Sequence, residues 1–284
     1  MSNPPPRPPS VVLPDGERVS ALGLGTWRMG ESRARREAEL AALRHALERG
    51  AGLIDTAEMY GEGGAEEIVG EALAGRRDEV FLVSKVYPHN AGRRSAIAAC
   101  ERSLKRLRTD RIDLYLLHWP GAIPLHETVD AFERLHDQGK IRHWGVSNFD
   151  VGDMNDLLEV EDGERCAANQ VYYSASRRGI EHDLVPWMHE HAVPLMAYCP
   201  LDAGTLTDDA TLAAIGRRHG ASAAQVAIAW LLSRPQVIAI PKAARPEHVD
   251  ANLEAAGLSL TAQDLAEIDD AFPPPAGKEP LTIV

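Results

Sequence analysis

No stretch of the chain approaches the about 18 consecutive apolar residues that a membrane span needs. Residues 1–9 hold five prolines but neither the basic nor the apolar segment of a secretion signal. Cysteine is scarce: Cys100, Cys166 and Cys199 form no CxxC and no Cys/His ligand spacing. They read as free thiols of a reducing compartment, without a structural metal. The expected location is the cytoplasm. Positive charge is also in deficit. A net charge of −12 argues against nucleic acid and anionic membrane as partners, so any phosphate site must be local.

What is present fits one domain. A chain of 284 residues matches a barrel of the usual size, about 250 residues. Residues 1–9 read as an extended or disordered Pro-rich arm and 10–284 as a single barrel. Two short runs, Val11 to Leu13 and Arg18 to Ser20, flank the turn sequence Pro14-Asp15-Gly16-Glu17. A hairpin therefore precedes the main fold and would plug the barrel bottom. Helical stripes then alternate with strand-like runs. Asp150 is a candidate N-cap, and Ser222 with Gln225 and Thr261 with Asp264 carry capping-box spacing. Two helical patterns instead of one precede the eighth strand. The expected fold is α/β: a (β/α)8 TIM barrel with an N-terminal β-hairpin and extra helices late in the chain.

Polar residues close successive strands. Leu53-Ile54 ends in Asp55, Val80 to Ser84 in Lys85, and Ile112 to Leu117 in His118. Ser147 and Asn148, Gln170, Tyr198 and Lys242 close the later runs. From Asp55 the intervals to Lys85, His118, Ser147, Gln170, Tyr198 and Lys242 are 30, 33, 29, 23, 28 and 44 residues, near the length of a βαβ repeat. In a parallel barrel these positions share the C-terminal rim, where such barrels build their sites. A doubly wound open sheet would carry a phosphate-binding glycine fingerprint, but Gly23-Leu24-Gly25 lacks its third glycine.

Tyrosine is a weak acid unless its phenolate is stabilised. Lys85, kept charged by Asp55, would lower the pKa of Tyr60, with burial pushing the other way. His118 could orient a carbonyl against Tyr60. The motifs offer no Ser or Cys paired with a base, no second rim carboxylate for a glycosidase and no metal cluster. A lysine on a barrel strand leaves open a Schiff-base aldolase.

In order, Leu53-Ile54-Asp55-Thr56-Ala57 with Tyr60-Gly61, Ser84-Lys85, Leu116-Leu117-His118-Trp119-Pro120, Gly145 to Phe149, Asn169-Gln170, Tyr198-Cys199-Pro200-Leu201 and Ile240-Pro241-Lys242 closely resemble the aldo-keto reductases. Within that family the likeness is to bacterial methylglyoxal and 2,5-diketo-gluconate reductases. The resemblance implies NADPH-dependent reduction of aldehydes and small ketones or α-dicarbonyls, NADH being the second choice of cofactor. It implies a catalytic tetrad of Asp55, Tyr60, Lys85 and His118, with Tyr60 as proton donor. Ser147, Asn148 and Gln170 would hold the carboxamide and Tyr198 would stack on the nicotinamide. Thr26, Asp55, Cys199, Pro200, Leu201, Ala203, Gly204, Ile240 and Lys242 complete the implied cofactor contacts. At the adenosine end, many members carry Lys-Ser, then Arg and Glu before Asn. This chain has Lys242-Ala243, His248, Ala251 and Asn252, with Arg245 able to replace the arginine. Trp27, Tyr87 and Trp119 would wall the carbonyl pocket. The short loop from Trp119 to Pro124 and the short tail after Phe272 suggest an open site for small substrates. The partners expected are a small carbonyl compound and no macromolecule, the chain being a monomer. A barrel that reports redox state through a protein partner is the remaining alternative.

Overall fold

The computed structural model describes residues 5–283. A two-stranded antiparallel hairpin, β1 (Ser10–Val12) and β2 (Arg18–Ser20), comes first. Eight parallel strands follow: β3 (Leu24–Gly25), β4 (Leu53–Asp55), β5 (Phe81–Val86), β6 (Ile112–Leu117), β7 (Ile141–Ser147), β8 (Asn169–Tyr172), β9 (Leu195–Tyr198) and β10 (Val237–Ala239). Each pairs with the next in sequence. Bridges Leu22↔Ala239 and Gly25↔Lys242 join the first to the last, with Gly25 N donating to the Pro241 carbonyl at 3.1 Å. The sheet is thus closed into the expected barrel.

Between the strands lie α1 (Arg36–Glu48), α2 (Gly64–Ala72), α3 (Ser95–Leu107), α4 (Leu125–Asp137), α5 (Val151–Leu158) and α6 (Leu184–Glu190). Two helices, α7 (Ala210–His219) and α8 (Ala223–Leu232), separate β9 from β10, and α9 (Pro246–Glu254) and α10 (Ala262–Ala271) follow. The expected caps form at Ser222 and Thr261 as capping boxes, and the expected N-cap Asp150 forms one too, with Asp153. Each satisfies backbone N–H groups that the first helical turn leaves without partners.

Side chains alternate along each strand, and this period of two sorts the core. Leu53, Val83, Leu114, Leu116, Met196 and Ile238 fill the barrel interior, while Ile54, Leu82, Tyr115, Leu117 and Val237 pack outward under the helices. Each fully buried side chain of this kind stabilises the fold by about 1.5–3 kcal/mol. The same alternation turns Asp55, Lys85 and His118 inward, two residues beyond Leu53, Val83 and Leu116.

Val11, Leu13, Val19 and Ala21 of the hairpin region join the interior cluster, so the hairpin is the bottom plug. Gln236 secures it by donating to the Val12 carbonyl at 3.0 Å, and Glu17 accepts from Arg142 at 2.7 Å. Neighbouring strands approach the first strand closely: a Cβ on Gly23 would lie 2.3 Å from Leu53 Cδ2. Of the Pro-rich arm, residues 1–4 lie outside the described residues. Residues 5–9 form no regular element; the Pro9 carbonyl accepts from Ala21 N at 2.9 Å.

Candidate active site

A cavity of about 370 Å³ opens at the C-terminal rim of the barrel. Its lining includes Asp55, Tyr60, His118, Ser147, Asn148, Gln170 and Tyr198. The geometry around Lys85 orders this group. Lys85 is completely buried, and its Nζ donates to Asp55 Oδ2 at 2.7 Å, the Thr56 carbonyl at 2.9 Å and Tyr60 Oη at 3.2 Å. An ammonium has three protons and no acceptor, so all three are engaged. Tyr60 Oη is an acceptor in this contact, which leaves its own proton for a group in the cavity.

The loop that carries Tyr60 is tightly constrained. Thr56 N donates to the Val83 carbonyl at 2.9 Å, and Glu58 accepts from Tyr87 N at 2.8 Å and Asn90 Nδ2 at 3.0 Å. Gly61 adopts φ 59°, and a Cβ there would stand 2.8 Å from the Met29 carbonyl oxygen. Only glycine takes both the left-handed conformation and that approach without strain.

Charge follows from this burial. Desolvation, seconded by the Asp55 carboxylate, raises the Tyr60 phenol well above its ordinary pKa. The lowering expected from Lys85 is therefore not the net result, because the same enclosure that brings the ammonium close removes water from the phenolate. Desolvation lowers Lys85 against the pull of Asp55. It also holds His118 well below its ordinary value, helped by Lys85. Tyr60 is thus protonated and His118 neutral at neutral pH. The buried His118 Nδ1 has no hydrogen-bond partner among the described residues. The His118 ring meets Tyr60 edge-on, with centroids 5.8 Å apart.

Asn148 donates to the His118 carbonyl at 3.1 Å and accepts from Tyr198 Oη at 2.8 Å. Ser147 Oγ donates to the Gln170 carbonyl at 2.8 Å. Cys199, Pro200, Leu201, Ala203, Gly204, Ile240 and Lys242 continue the cavity wall. In the loop after β9, Cys199, Asp202, Ala203 and Gly204 all have positive φ, between 47° and 102°. Asp202 anchors this conformation by accepting from Tyr172 Oη at 2.6 Å and Ser176 Oγ at 2.9 Å. Backbone in such conformations can turn N–H groups toward an anion. Polar donors at one end, this loop with Lys242 at the other and the tyrosine ring between them fit a phosphate-bearing dinucleotide.

Several expected residues lie outside the cavity lining. Thr26 is buried and donates to the Asp55 carbonyl at 3.0 Å, so it braces β3 against β4. Tyr87 meets Trp119 edge-on at 5.9 Å without lining the cavity, whereas Trp27 and Trp119 themselves line the space. Arg245 and His248 form a pair at 2.6 Å near the start of α9, and Asn252 lies further along that helix. Five lining residues were missed: Gly25, Arg28, Met59, Pro241 and Ile283. Arg28 follows Trp27 at a strand end, and its guanidinium lies 4.4 Å from the Trp27 ring centroid. The rim rule that selected Trp27 would have found it. Nothing in the sequence places Ile283, which the tail brings back over the cavity.

The Aldo/keto reductase family model matches residues 21–272. Methylglyoxal reductase YeaE of Escherichia coli (strain K12) is 53% identical over 271 residues, covering 94% of this chain and 95% of that protein. An aldo/keto reductase from Klebsiella pneumoniae, solved in complex with NADP and acetate, has 50% identity and a TM-score of 0.95, with 98% of this chain and 100% of that one covered. An aldo-keto reductase from the same organism in complex with NADPH has 50% identity and a TM-score of 0.93, covering 96% and 99%.

Proposed function

Since this chain belongs to the aldo/keto reductase family, we propose that it reduces aldehydes and small ketones, including α-dicarbonyls such as methylglyoxal, with NADPH. The carrying observation is the Lys85 ammonium, whose three bonds leave the proton of Tyr60 for the cavity. A bound nicotinamide supplies the hydride. Tyr60 gives its proton to the carbonyl oxygen while neutral His118 orients that oxygen. As the proton leaves, charge grows on Tyr60 Oη opposite an ammonium already in place, and no solvent need reorganise.

In this reading Ser147, Asn148 and Gln170 hold the carboxamide, and Tyr198 backs the ring. The loop from Cys199 to Gly204 takes the pyrophosphate. Lys242, Arg245, His248 and Asn252 meet the adenosine end, where fixed positive charge favours NADPH over NADH. Trp27, Trp119, Met59 and Ile283 give the substrate end flat apolar walls suited to a small uncharged body.

The Schiff-base alternative lacks a nucleophile, because a buried lysine with every N–H engaged offers no free amine. No helix among the described residues is long and apolar enough to cross a membrane. A cytoplasmic monomer belongs to the same proposal. NADPH consumption with methylglyoxal, an aryl aldehyde and a ketosteroid tests the function. The highest kcat/KM should fall to one of the two small carbonyls; a clear preference for the steroid, or no turnover with any aldehyde, overturns it.

A further inference from the structure

Polar groups of the rim form a hydrogen-bonded series that passes through both the backbone and the side chain of Gln170. Tyr198 Oη donates to Asn148 Oδ1 at 2.8 Å, Asn148 Nδ2 to Ser147 Oγ at 3.2 Å, and Ser147 Oγ to the Gln170 carbonyl at 2.8 Å. Gln170 Nε2 then donates to Asp55 Oδ1 at 2.8 Å. The other Asp55 oxygen takes Lys85, which reaches Tyr60. The Gln170 to Asp55 bond crosses the barrel interior between β8 and β4, four strands apart in a ring of eight. Both residues are almost wholly buried, at 1% and 2% exposure.

A carboxylate can only accept, so the part of the Gln170 amide facing Asp55 must be its NH2. That nitrogen also lies 3.9 Å from Met196 Sδ. Its protons are then directed to Asp55 and Met196, and only the amide oxygen remains for another partner. Gln170 is therefore more than a wall of the cofactor cavity.

We propose that Gln170 is a positioning residue for Asp55, and through Asp55 sets the strength of Tyr60 as an acid from the opposite side of the barrel. The inference rests on the reductase reading above. A donor on one Asp55 oxygen disperses the charge that the other directs at Lys85 and Tyr60. Without it the carboxylate acts at full strength, and Tyr60 holds its proton more firmly. The other titratable groups facing this assembly are Lys85 from β5, His118 after β6, Tyr198 and Cys199 at the end of β9, and Glu66 from α2, which acts on Lys85. Substituting Gln170 leaves all of them in place.

The test is single-turnover alcohol oxidation at saturating NADP⁺ as a function of pH, the direction in which Tyr60 must receive a proton. Three variants are compared with the unmodified chain, with NADP⁺ affinity measured by fluorescence titration. Gln170→Met should slow oxidation about threefold or more below the Tyr60 ionisation, since half a pH unit is about a threefold change in phenolate. Gln170→Glu can donate to Asp55 only while it keeps a proton. Its rate relative to the unmodified chain should fall as pH rises and a second charge appears beside Asp55. Ser147→Ala, which removes bonds to the Gln170 backbone and from Asn148 but none to Asp55, should weaken NADP⁺ binding with a pH-independent rate ratio. The inference is overturned if Gln170→Met loses cofactor affinity alone, or if the Gln170→Glu ratio does not change with pH. Absence of turnover in the unmodified chain would instead overturn the reductase reading.

Discussion

Replacing Lys85 by Met would remove the ammonium while keeping most of the side-chain volume. Three acceptors lose their donor at once: Asp55 Oδ2, the Thr56 carbonyl and Tyr60 Oη. The rate effect comes from the third, because Tyr60 Oη carries growing negative charge as it releases its proton. A hydrogen bond to a charged group is worth about 1.5–3 kcal/mol. If that is lost only in the transition state, hydride transfer slows about 10- to 150-fold. Stability should fall too, since breaking a buried ion pair costs about 3–5 kcal/mol. Here Asp55 keeps the Gln170 bond and can take up a proton, so the lower figure is expected. Single-turnover reduction with bound NADPH measures the first effect and equilibrium unfolding the second. A folded variant within about threefold of the original rate would refute the role given to Lys85.

Other consequences follow from the same geometry. Tyr60 titrates above its ordinary value of 10.0 and His118 below 6.5, so neither should produce a step between those pH values in single-turnover reduction. A limb near pH 7 that disappears in a His118 variant would contradict this. Arg245→Ala should weaken NADPH binding by a few-fold, about 1 kcal/mol, with NADH unaffected; an equal loss for both cofactors would remove Arg245 from the 2′-phosphate end. Asp264→Ala should cost about 2–3 kcal/mol in equilibrium unfolding, because this buried carboxylate caps α10 and accepts from Arg218 at 2.6 Å and His219 at 2.8 Å. Burial raises the Asp264 pKa, but Arg218, Thr261 and His219 outweigh it and the net shift is downward. Its contribution should be intact above the ordinary value of 3.8 and lost as pH falls below that toward the folded-state value. A destabilisation that does not shrink in acid would argue against that linkage.

The barrel was legible because two periodicities coincide in the sequence. Strand alternation turns Asp55, Lys85 and His118 inward, and βαβ spacing brings them to one rim. Capping residues were equally readable, since the signal at Asp150, Ser222 and Thr261 is local. What could not be read depends on long-range packing. The return of Ile283 over the cavity needs the path of the tail, along which Lys278 pairs with Asp183 at 3.2 Å and Leu281 packs against the core. Tyr87 shares the strand-end position of Trp119, but it meets that ring edge-on and is not among the lining residues, a difference that spacing does not encode. The bond from Gln170 to Asp55 spans 115 residues of sequence, and no local pattern announces it. The direction of the Tyr60 shift was likewise a contest between burial and a nearby cation, and only the enclosure of the site decides it.

The most direct test of the central claim is single-turnover reduction of methylglyoxal by Tyr60→Phe, alongside its NADPH affinity. Removing one oxygen leaves Asp55, Lys85 and His118 in place, together with the cavity wall at Tyr198. The rate should be lower by about 10²- to 10⁴-fold, the range of a lost general acid. NADPH affinity should be nearly unchanged. A variant that keeps reducing methylglyoxal at close to the original rate would contradict Tyr60 as the proton donor.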